Sequence, residues 1–232
     1  MKKVISYSLY GRDPRYVINA IINADICKDL YPDWESRFYY DTTVPQTVLN
    51  KLKTYSNVNL IDMTNNNLDR FRTNHSTRMF WRFLAYEDPV VNIVIFRDTD
   101  SYPCERERDA VNQWIETGKS IHLMREVQPG HRSKVMGGMW GLRKNNKLDS
   151  IIKKCLEVEG RQPTDQNYLS QMIYPLFEGD RVVHDNDNPF GDKTHDWPTP
   201  RKGDMYIGRT QGPPCEESKK LEMYNDLVKE LL

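Results

Sequence analysis

Two aspartates separated by one residue follow a strongly apolar run and are the residues of this chain best suited to chemistry. Asp98 and Asp100 come directly after "NIVIFR" (92–97), whose β-branched and aromatic residues are typical of a buried strand. Adjacent carboxylates repel each other and require either water or a cation. A hard divalent cation prefers oxygen ligands and shares them with substrate phosphates. The pattern indicates a divalent-metal site, with a solvent-facing turn as the alternative.

Small and polar residues follow other predicted strands. Ser8 and Tyr10 lie at the end of the apolar run 3–10. Gly137 and Gly138 precede Met139 and Trp140, and glycines at such a point allow the backbone to approach a ligand closely. The alternative for these glycines is a bulged strand that packs a core tryptophan. Both stretches are candidate ligand-binding edges.

A second group of candidates lies in the last third of the chain. Asp165 and Gln166 fall in the first turn of a helix predicted to begin at Pro163 and Thr164. An aspartate at that position is also an ordinary partner for a helix dipole, which is the alternative for Asp165. His184 ends the strand-like run 181–187. These residues are candidates for catalysis and for a further metal ligand.

Strands and helices alternate along the chain and must position these candidates. Runs typical of strands precede and follow segments with helical spacing of apolar residues. The strand-like runs are 3–10, 36–41, 58–63, 92–97, 120–124 and 181–187, and the helical segments are 14–31, 44–55, 77–89, 105–118, 147–160 and 162–175. This order predicts an α/β fold with a mostly parallel central sheet and helices on both faces. Such sheets bind ligands at the carboxyl ends of their strands.

Composition excludes several classes of protein. The 232 residues carry 33 basic and 33 acidic side chains, so no electrostatic signal for nucleic-acid binding is present. Four widely spaced cysteines offer neither a zinc motif nor a disulfide framework, which favours reduced thiols in a cytoplasmic setting. No apolar stretch has the length of a signal peptide or a membrane span. A soluble globular enzyme or binding protein is expected.

Seven motifs in order carry a resemblance to a known family. They are "SLYG", "FWRFLAYEDP", "FRDTDSY", "GGMWGLRK", "TDQNYLSQMIYP", "VVHDND" and "MYIG", spanning about residues 3 to 210. Together they resemble nucleotide-sugar-dependent glycosyltransferases of the GT-A (Rossmann-like) fold. The similarity is to the glycogenin and lipopolysaccharide galactosyltransferase group and to small capsid-glycan glycosyltransferases of large algal viruses. The resemblance implies one domain, 1–232, with a nucleotide-binding half (1–103), a donor-sugar and acceptor half (104–210) and a C-terminal packing helix (213–232).

The resemblance implies roles for the metal-binding candidates. Asp98 and Asp100 would hold Mn²⁺ or Mg²⁺ against the donor diphosphate, and His184 would be the third ligand. The glycogenin-like group places its metal histidine in an H-x-x-G-x-x-K-P-W-like motif that this chain lacks, so His195 is the alternative. Because side chains alternate along a strand, we expect Asp98 and Asp100 to share a face. We expect Asp98 to be the more buried and Asp100 to reach outward as the primary ligand.

The remaining implied roles concern the donor. The stretch Tyr7, Ser8, Leu9 and Tyr10 would line the base and ribose pocket. Arg82, and Arg78 one turn earlier, would reach towards phosphate or donor sugar, with ion pairs to neighbouring acids as the alternative. Gly137 and Gly138 would line the donor-sugar side. Asp165 and Gln166 would face the sugar hydroxyls and the anomeric carbon, Asp165 either as a base (inverting) or as an orienting group (retention open).

The resemblance therefore implies a metal-dependent hexosyltransferase. Its donor would be a UDP-hexose and its acceptor a glycan or glycoprotein, with no nucleic acid and no membrane span. It would act in the cytoplasm, or in the host cytoplasm if the protein is viral. Two alternatives stay open: a non-catalytic nucleotide-sugar binding domain, and a Mg²⁺-dependent phosphatase of the haloacid dehalogenase type. The second class expects its aspartate pair after the first strand rather than the fourth.

Overall fold

A single eight-stranded sheet forms the centre of the computed structural model, which describes residues 1–65, 78–126, 133–156, 165–203, 206–210 and 218–232. In chain order the strands are β1 Lys2–Leu9, β2 Glu35–Tyr40, β3 Val58–Asp62, β4 Val91–Arg97, β5 Ile121–Arg125, β6 Trp140–Arg143, β7 Arg181–Asp185 and β8 Thr194–His195. Their order across the sheet is β3-β2-β1-β4-β6-β5-β7-β8. Every neighbouring pair is parallel except those of β6, which is antiparallel to both β4 and β5.

Helices connect the parallel strands. They are α1 Pro14–Leu30, α2 Gln46–Leu52, α3 Leu84–Glu87, α4 Glu105–Thr117, α5 Ile151–Leu156, α6 Asp165–Tyr168 and α7 Ser218–Leu231. A 3₁₀ turn, Met79–Phe83, leads into α3, so the helix predicted over 77–89 is shorter and tighter than its pattern indicates. A π-helical segment and a second 3₁₀ turn, Leu169–Ile173 and Tyr174–Phe177, continue α6. The start predicted at Pro163 and Thr164 lies outside the described residues.

Two hydrophobic clusters cover the two faces of the sheet. Ile5, Tyr7 and Leu9 of β1 belong to the cluster that contains α1, α2 and α4, whereas Val4 belongs to the opposite one. β4 alternates in the same way, because successive side chains of a strand point to opposite faces. The mostly parallel α/β sheet with helices on both faces is therefore confirmed. No helix of the described residues is long and apolar enough to cross a membrane.

Candidate functional site

The two aspartates after β4 differ in exposure, in the opposite sense to the one predicted. The side chain of Asp98 is 48% exposed and that of Asp100 is 7% exposed. Strand alternation stops applying because β4 ends at Arg97 and the next residues form a turn, in which the Ser101 amide donates to the Asp98 carbonyl at 3.5 Å. The turn directs Asp100 inwards, towards α1, and leaves Asp98 at the open edge of the sheet.

Arg82 joins two of the predicted site residues. Its guanidinium donates through Nη1 to Asp98 Oδ1, in a very short contact, and through Nη2 to Asp165 Oδ2 at 2.5 Å. Burial alone would lower the pKa of Arg82, but the two carboxylates raise it above its ordinary value. The arginine therefore stays charged although its side chain is only 3% exposed. We call Arg82, Asp98 and Asp165 the charged cluster.

Two serines of β1 hold the turn that carries Arg82. Ser6 Oγ donates to the Arg82 carbonyl at 2.6 Å, and the Arg82 amide donates to Ser8 Oγ at 3.0 Å. Ser8 Oγ also donates to the Met79 carbonyl at 3.1 Å. Ser8 thus anchors the turn Met79–Phe83.

The glycine pair lies directly against the charged cluster. A methyl group at Gly137 would lie 2.9 Å from Arg82 Nη2, and one at Gly138 would lie 2.6 Å from Asp98 Cγ. Both distances are shorter than a non-bonded contact of a methyl carbon allows. A side chain at either position would therefore displace the cluster. The structure thus brings together five predicted residues: Arg82, Asp98, Asp165, Gly137 and Gly138.

Gln166 lies beside the cluster. Its amide N–H donates to Asp165 Oδ1 at 2.8 Å, and its side-chain Oε1 accepts a hydrogen bond from Ser133 Oγ at 2.8 Å. The Asp165 carboxylate is therefore held at both oxygens, by Arg82 on one and by this backbone amide on the other. These two hydrogen bonds orient the Asp165 carboxylate relative to the strand ends.

A second group of side chains closes the edge at β1 and β2. The guanidinium of Arg78 lies 5.6 Å from the ring centre of Tyr10 and 5.8 Å from that of Trp81, and its Nη2 pairs with Asp41 Oδ2 at 3.3 Å. Asp41 was not among the predicted site residues, although it is the last residue of the run 36–41 and follows β2 just as Asp98 follows β4. Thr43 links this aspartate to β1, because its amide donates to Asp41 Oδ1 and its Oγ1 accepts from the Gly11 amide at 2.7 Å.

The other two residues of the predicted base pocket lie elsewhere. Tyr7 and Leu9 are fully buried in the core, where the ring of Tyr7 stacks on Phe38 at 4.7 Å between centres. The assignment of four consecutive residues to one pocket ignored the alternation of the strand, which sends Tyr7 and Leu9 to the face opposite Ser8. Their side chains do not reach the strand edge that carries the charged cluster.

Asp100 forms an ion pair of its own. Arg15 Nη2, in the first turn of α1, lies 2.6 Å from Asp100 Oδ2. Burial and the nearby charge of Asp98 raise the pKa of Asp100, and Arg15 acts against them. Each of the two carboxylates therefore already has an arginine partner, Arg82 for Asp98 and Arg15 for Asp100.

His184 lies in a different cluster. Its Nε2 donates to Gln113 Oε1 at 2.6 Å, so its Nδ1 accepts the hydrogen bond from His122 Nε2 at 2.8 Å. Burial, followed by the charges of His195 and Arg106, lowers the pKa of His184 to about 4. We call Gln113, His122 and His184 the histidine cluster.

The sheet order explains why His184 does not join the aspartates. Two strands, β6 and β5, separate β7 from β4, which corresponds to roughly 14 Å at the ordinary strand spacing. The alternative ligand, His195, lies on β8 with its ring 6.1 Å from that of His184. Among the residues that the structure describes, no three His, Cys, Asp or Glu side chains are grouped so as to hold a metal ion. Asp98, Asp100 and His184 do not form a ligand set here.

Comparisons with solved structures show the fold. The sequence itself matches no family model and no curated protein. The structure is similar to a glycosyltransferase involved in glycosylation of the major capsid of PBCV-1, at 16% identity over 80% of this chain and 82% of that one, with a TM-score of 0.51. It is also similar to 4-diphosphocytidyl-2C-methyl-D-erythritol synthase from Anaerococcus prevotii, at 10% identity over 98% of both chains, with a TM-score of 0.57.

A third similar structure is residues 1–349 of TarS from S. aureus. The identity is 15%, and the TM-score is 0.40. The match covers 62% of this chain but only 47% of that one, so the chain spans about half of the TarS structure. The resemblance seen in the sequence motifs agrees with the eight-stranded sheet and its helices. It also agrees with the similarity to the PBCV-1 glycosyltransferase. The chain has the GT-A fold.

Proposed function

We propose that this protein is a glycosyltransferase that moves a hexose from a nucleotide sugar, UDP-linked, to a hydroxyl group of a glycan or glycoprotein. The observation that carries the proposal is the charged cluster at the carboxyl edge of the parallel strands. Arg82 there holds Asp98 and Asp165 together, and Gly137 and Gly138 let the backbone lie directly against these side chains. A GT-A sheet binds its ligand at this edge.

The donor set at the end of β4 fits a divalent cation, Mn²⁺ or Mg²⁺. Asp98 and Asp100 would hold it, because one turn at the end of β4 carries both carboxylates and Asp98 is exposed to incoming ligand. Two carboxylates, with substrate phosphate and water in the other positions, are a usual set for such an ion. When bound, the ion would neutralise charge that develops on the leaving diphosphate. His184 is not part of this proposal, because both of its ring nitrogens are hydrogen-bonded within the histidine cluster.

Asp165 is the proposed contact to the transferred sugar. Arg82 and the Gln166 amide occupy its two oxygens, which fixes the carboxylate in one orientation. A carboxylate already paired with an arginine is better suited to orient sugar hydroxyls than to remove a proton from the acceptor. We therefore favour the orienting role of Asp165 over the role of base.

A binding screen tests the donor and the ion together. We expect UDP and UDP-hexoses to raise the melting temperature in Mn²⁺, because a ligand that binds only the folded state stabilises it. The shift should fall markedly in EDTA, since Asp98 and Asp100 would then repel the diphosphate. GDP-mannose and CTP are the controls for the base. Equal UDP affinity in Mn²⁺ and EDTA would exclude the metal role.

A nucleotidyltransferase is the second candidate, because the synthase from Anaerococcus prevotii aligns over 98% of both chains. That enzyme class would consume a nucleoside triphosphate and release pyrophosphate, whereas a glycosyltransferase consumes a UDP-sugar and releases UDP. Measuring both products with both substrates separates the two. A non-catalytic binding domain would bind UDP-hexose and release neither. The phosphatase alternative is disfavoured because the aspartate pair follows β4 and not β1.

A further inference from the structure

The two partners of the ion pair between Arg15 and Asp100 differ in solvent exposure and in hydrogen bonding. Asp100 is nearly buried, at 7% exposure, whereas 42% of the Arg15 side chain is exposed. Arg15 Nη2 contacts Asp100 Oδ2 at 2.6 Å, and Arg15 Nε is buried with no hydrogen-bond partner among the described residues. Nη2 thus neutralises the aspartate, while Nε forms no hydrogen bond with the described residues.

The acid is fixed and the arginine can move. Asn23 of α1 donates to the Thr99 carbonyl at 2.8 Å, and Tyr102 donates to Asn19 of the same helix. These bonds tie both sides of Asp100 to α1. Arg15 has looser contacts: its amide donates to the capping Asp13 at 2.9 Å, and its guanidinium lies 5.5 Å from the ring centre of Tyr16, itself 38% exposed. Its long, half-exposed side chain is therefore the partner that can leave.

Arg82 provides the internal contrast. It is 3% exposed and has two carboxylate partners, so its removal would leave buried charge uncompensated. Arg15 has one carboxylate partner in the ion pairs of the described residues and an open path to solvent. The pair at Asp100 is accordingly the displaceable one of the two.

We propose that Arg15 serves as an internal cation on Asp100 that competes with the divalent ion and leaves when the ion and the donor diphosphate bind. This inference rests on the proposed function, which places the ion on Asp98 and Asp100. The guanidinium occupies Oδ2, one of the two Asp100 oxygens that could ligate the ion, and its positive charge repels the ion at short range. The consequence is weak ion binding to the free protein and stronger binding with nucleotide, whose diphosphate offers the released guanidinium a new partner.

Mn²⁺ titrations of the protein test the competition. Electron paramagnetic resonance measures the bound ion, with and without saturating UDP. Arg15→Gln removes the competitor, and we expect it to tighten Mn²⁺ binding without nucleotide by about fivefold, as suits a partly exposed ion pair. Arg15→Lys keeps the charge and should stay near the parent protein. Arg12→Gln is the matched control, since Arg12 is exposed in the loop just before α1 and its loss changes the net charge equally.

The outcomes separate this inference from the proposed function. If Arg15→Gln binds Mn²⁺ no more tightly than the parent protein, while both bind it with UDP, the competition is wrong and the metal site stands. If Arg12→Gln tightens Mn²⁺ binding as much as Arg15→Gln, the effect is one of net charge and the inference also fails. If no variant binds Mn²⁺ in any condition, with folding verified by circular dichroism, both the inference and the metal role fail.

Discussion

The charged cluster and the histidine cluster are both groups of polar side chains beside the same sheet. The side chains of the first are ionised, whereas those of the second are neutral. In the charged cluster, Arg82 lies between two carboxylates and stays protonated. In the histidine cluster, burial lowers the pKa of His184 to about 4 and that of His122 well below its ordinary value, so both rings are neutral near pH 7. A buried ion persists only where opposite charge compensates the loss of water.

The two clusters also differ in how exposed their side chains are to a ligand. Asp98 of the charged cluster has a 48% exposed side chain, at the open edge of the sheet. His122 and His184 are fully buried, and the ring of His122 stacks on Trp114 at 5.3 Å. Hydrogen-bond direction is consistent along the histidine cluster, from His122 to His184 to Gln113. The first arrangement suits binding and catalysis, and the second suits structure.

The largest expected effect is on catalysis in the charged cluster. Asp165→Asn keeps the shape of the side chain and a hydrogen bond from Arg82 but removes the negative charge. We expect sugar transfer to fall by about two orders of magnitude or more, a loss typical of a positioned catalytic group. UDP affinity should barely change, because UDP lacks the transferred sugar. Steady-state kinetics with a UDP-hexose and calorimetry with UDP measure the two quantities.

The exposed Asp149 provides a matched control for this variant. Asp149→Asn makes the same chemical change away from the charged cluster and should leave transfer unchanged. Full transfer activity in Asp165→Asn would reduce Asp165 to an ordinary residue of a helix start. The charged cluster would then have a structural role only, like the histidine cluster.

Stability provides the next test. Arg82→Leu leaves Asp98 and the buried Asp165 without their shared cation, and we expect the free energy of unfolding to fall by about 3 to 5 kcal/mol. Arg78→Leu is the control, because its pair with Asp41 is 3.3 Å long and Arg78 is 22% exposed. Its loss should cost about 1 to 2 kcal/mol, because the ion pair and the contacts with the rings of Tyr10 and Trp81 are each weak. Urea unfolding at neutral pH measures both; equal losses would contradict the central role of Arg82.

The pH dependence of stability tests the histidine cluster. The folded-state pKa of His184, about 4, lies below its ordinary value of 6.5, so the unfolded chain takes up a proton first as the pH falls. The stability that the neutral ring contributes is present above about pH 6.5 and is lost progressively as the pH falls towards about 4. We expect His184→Gln to flatten this part of the stability profile, measured by urea unfolding at several pH values.

Metal binding sharpens the same comparison. Because His184 is committed to His122 and Gln113, His184→Gln should leave Mn²⁺ affinity in the presence of UDP unchanged. Asp100→Asn should weaken that affinity strongly, since it removes a proposed ligand. A marked loss of Mn²⁺ affinity in His184→Gln would restore the histidine as a ligand and would show that the two clusters work together.

Local pattern was sufficient for much of the fold. Alternation in β1 and β4, helical spacing in 14–31 and 105–118, and the strand-to-turn passage at Asp98 are properties of residues a few positions apart. They predicted the mostly parallel sheet with helices on both faces. They also indicated the strand edge where Arg82, Asp98 and Asp165 lie together. The reversed direction of β6 was not predicted, because its four residues carry no signal of strand direction.

Partner choice was decided by the tertiary structure. Arg82 meets carboxylates 16 and 83 residues away, and the turn after β4 exchanged the expected burial of Asp98 and Asp100. The sequence indicated that His184 lies near the end of a strand, but only the strand order placed β6 and β5 between that strand and β4. Periodicity records which side of an element faces the core. Which distant group lies there, and whether a buried side chain keeps its charge, depends on packing between elements far apart in the chain.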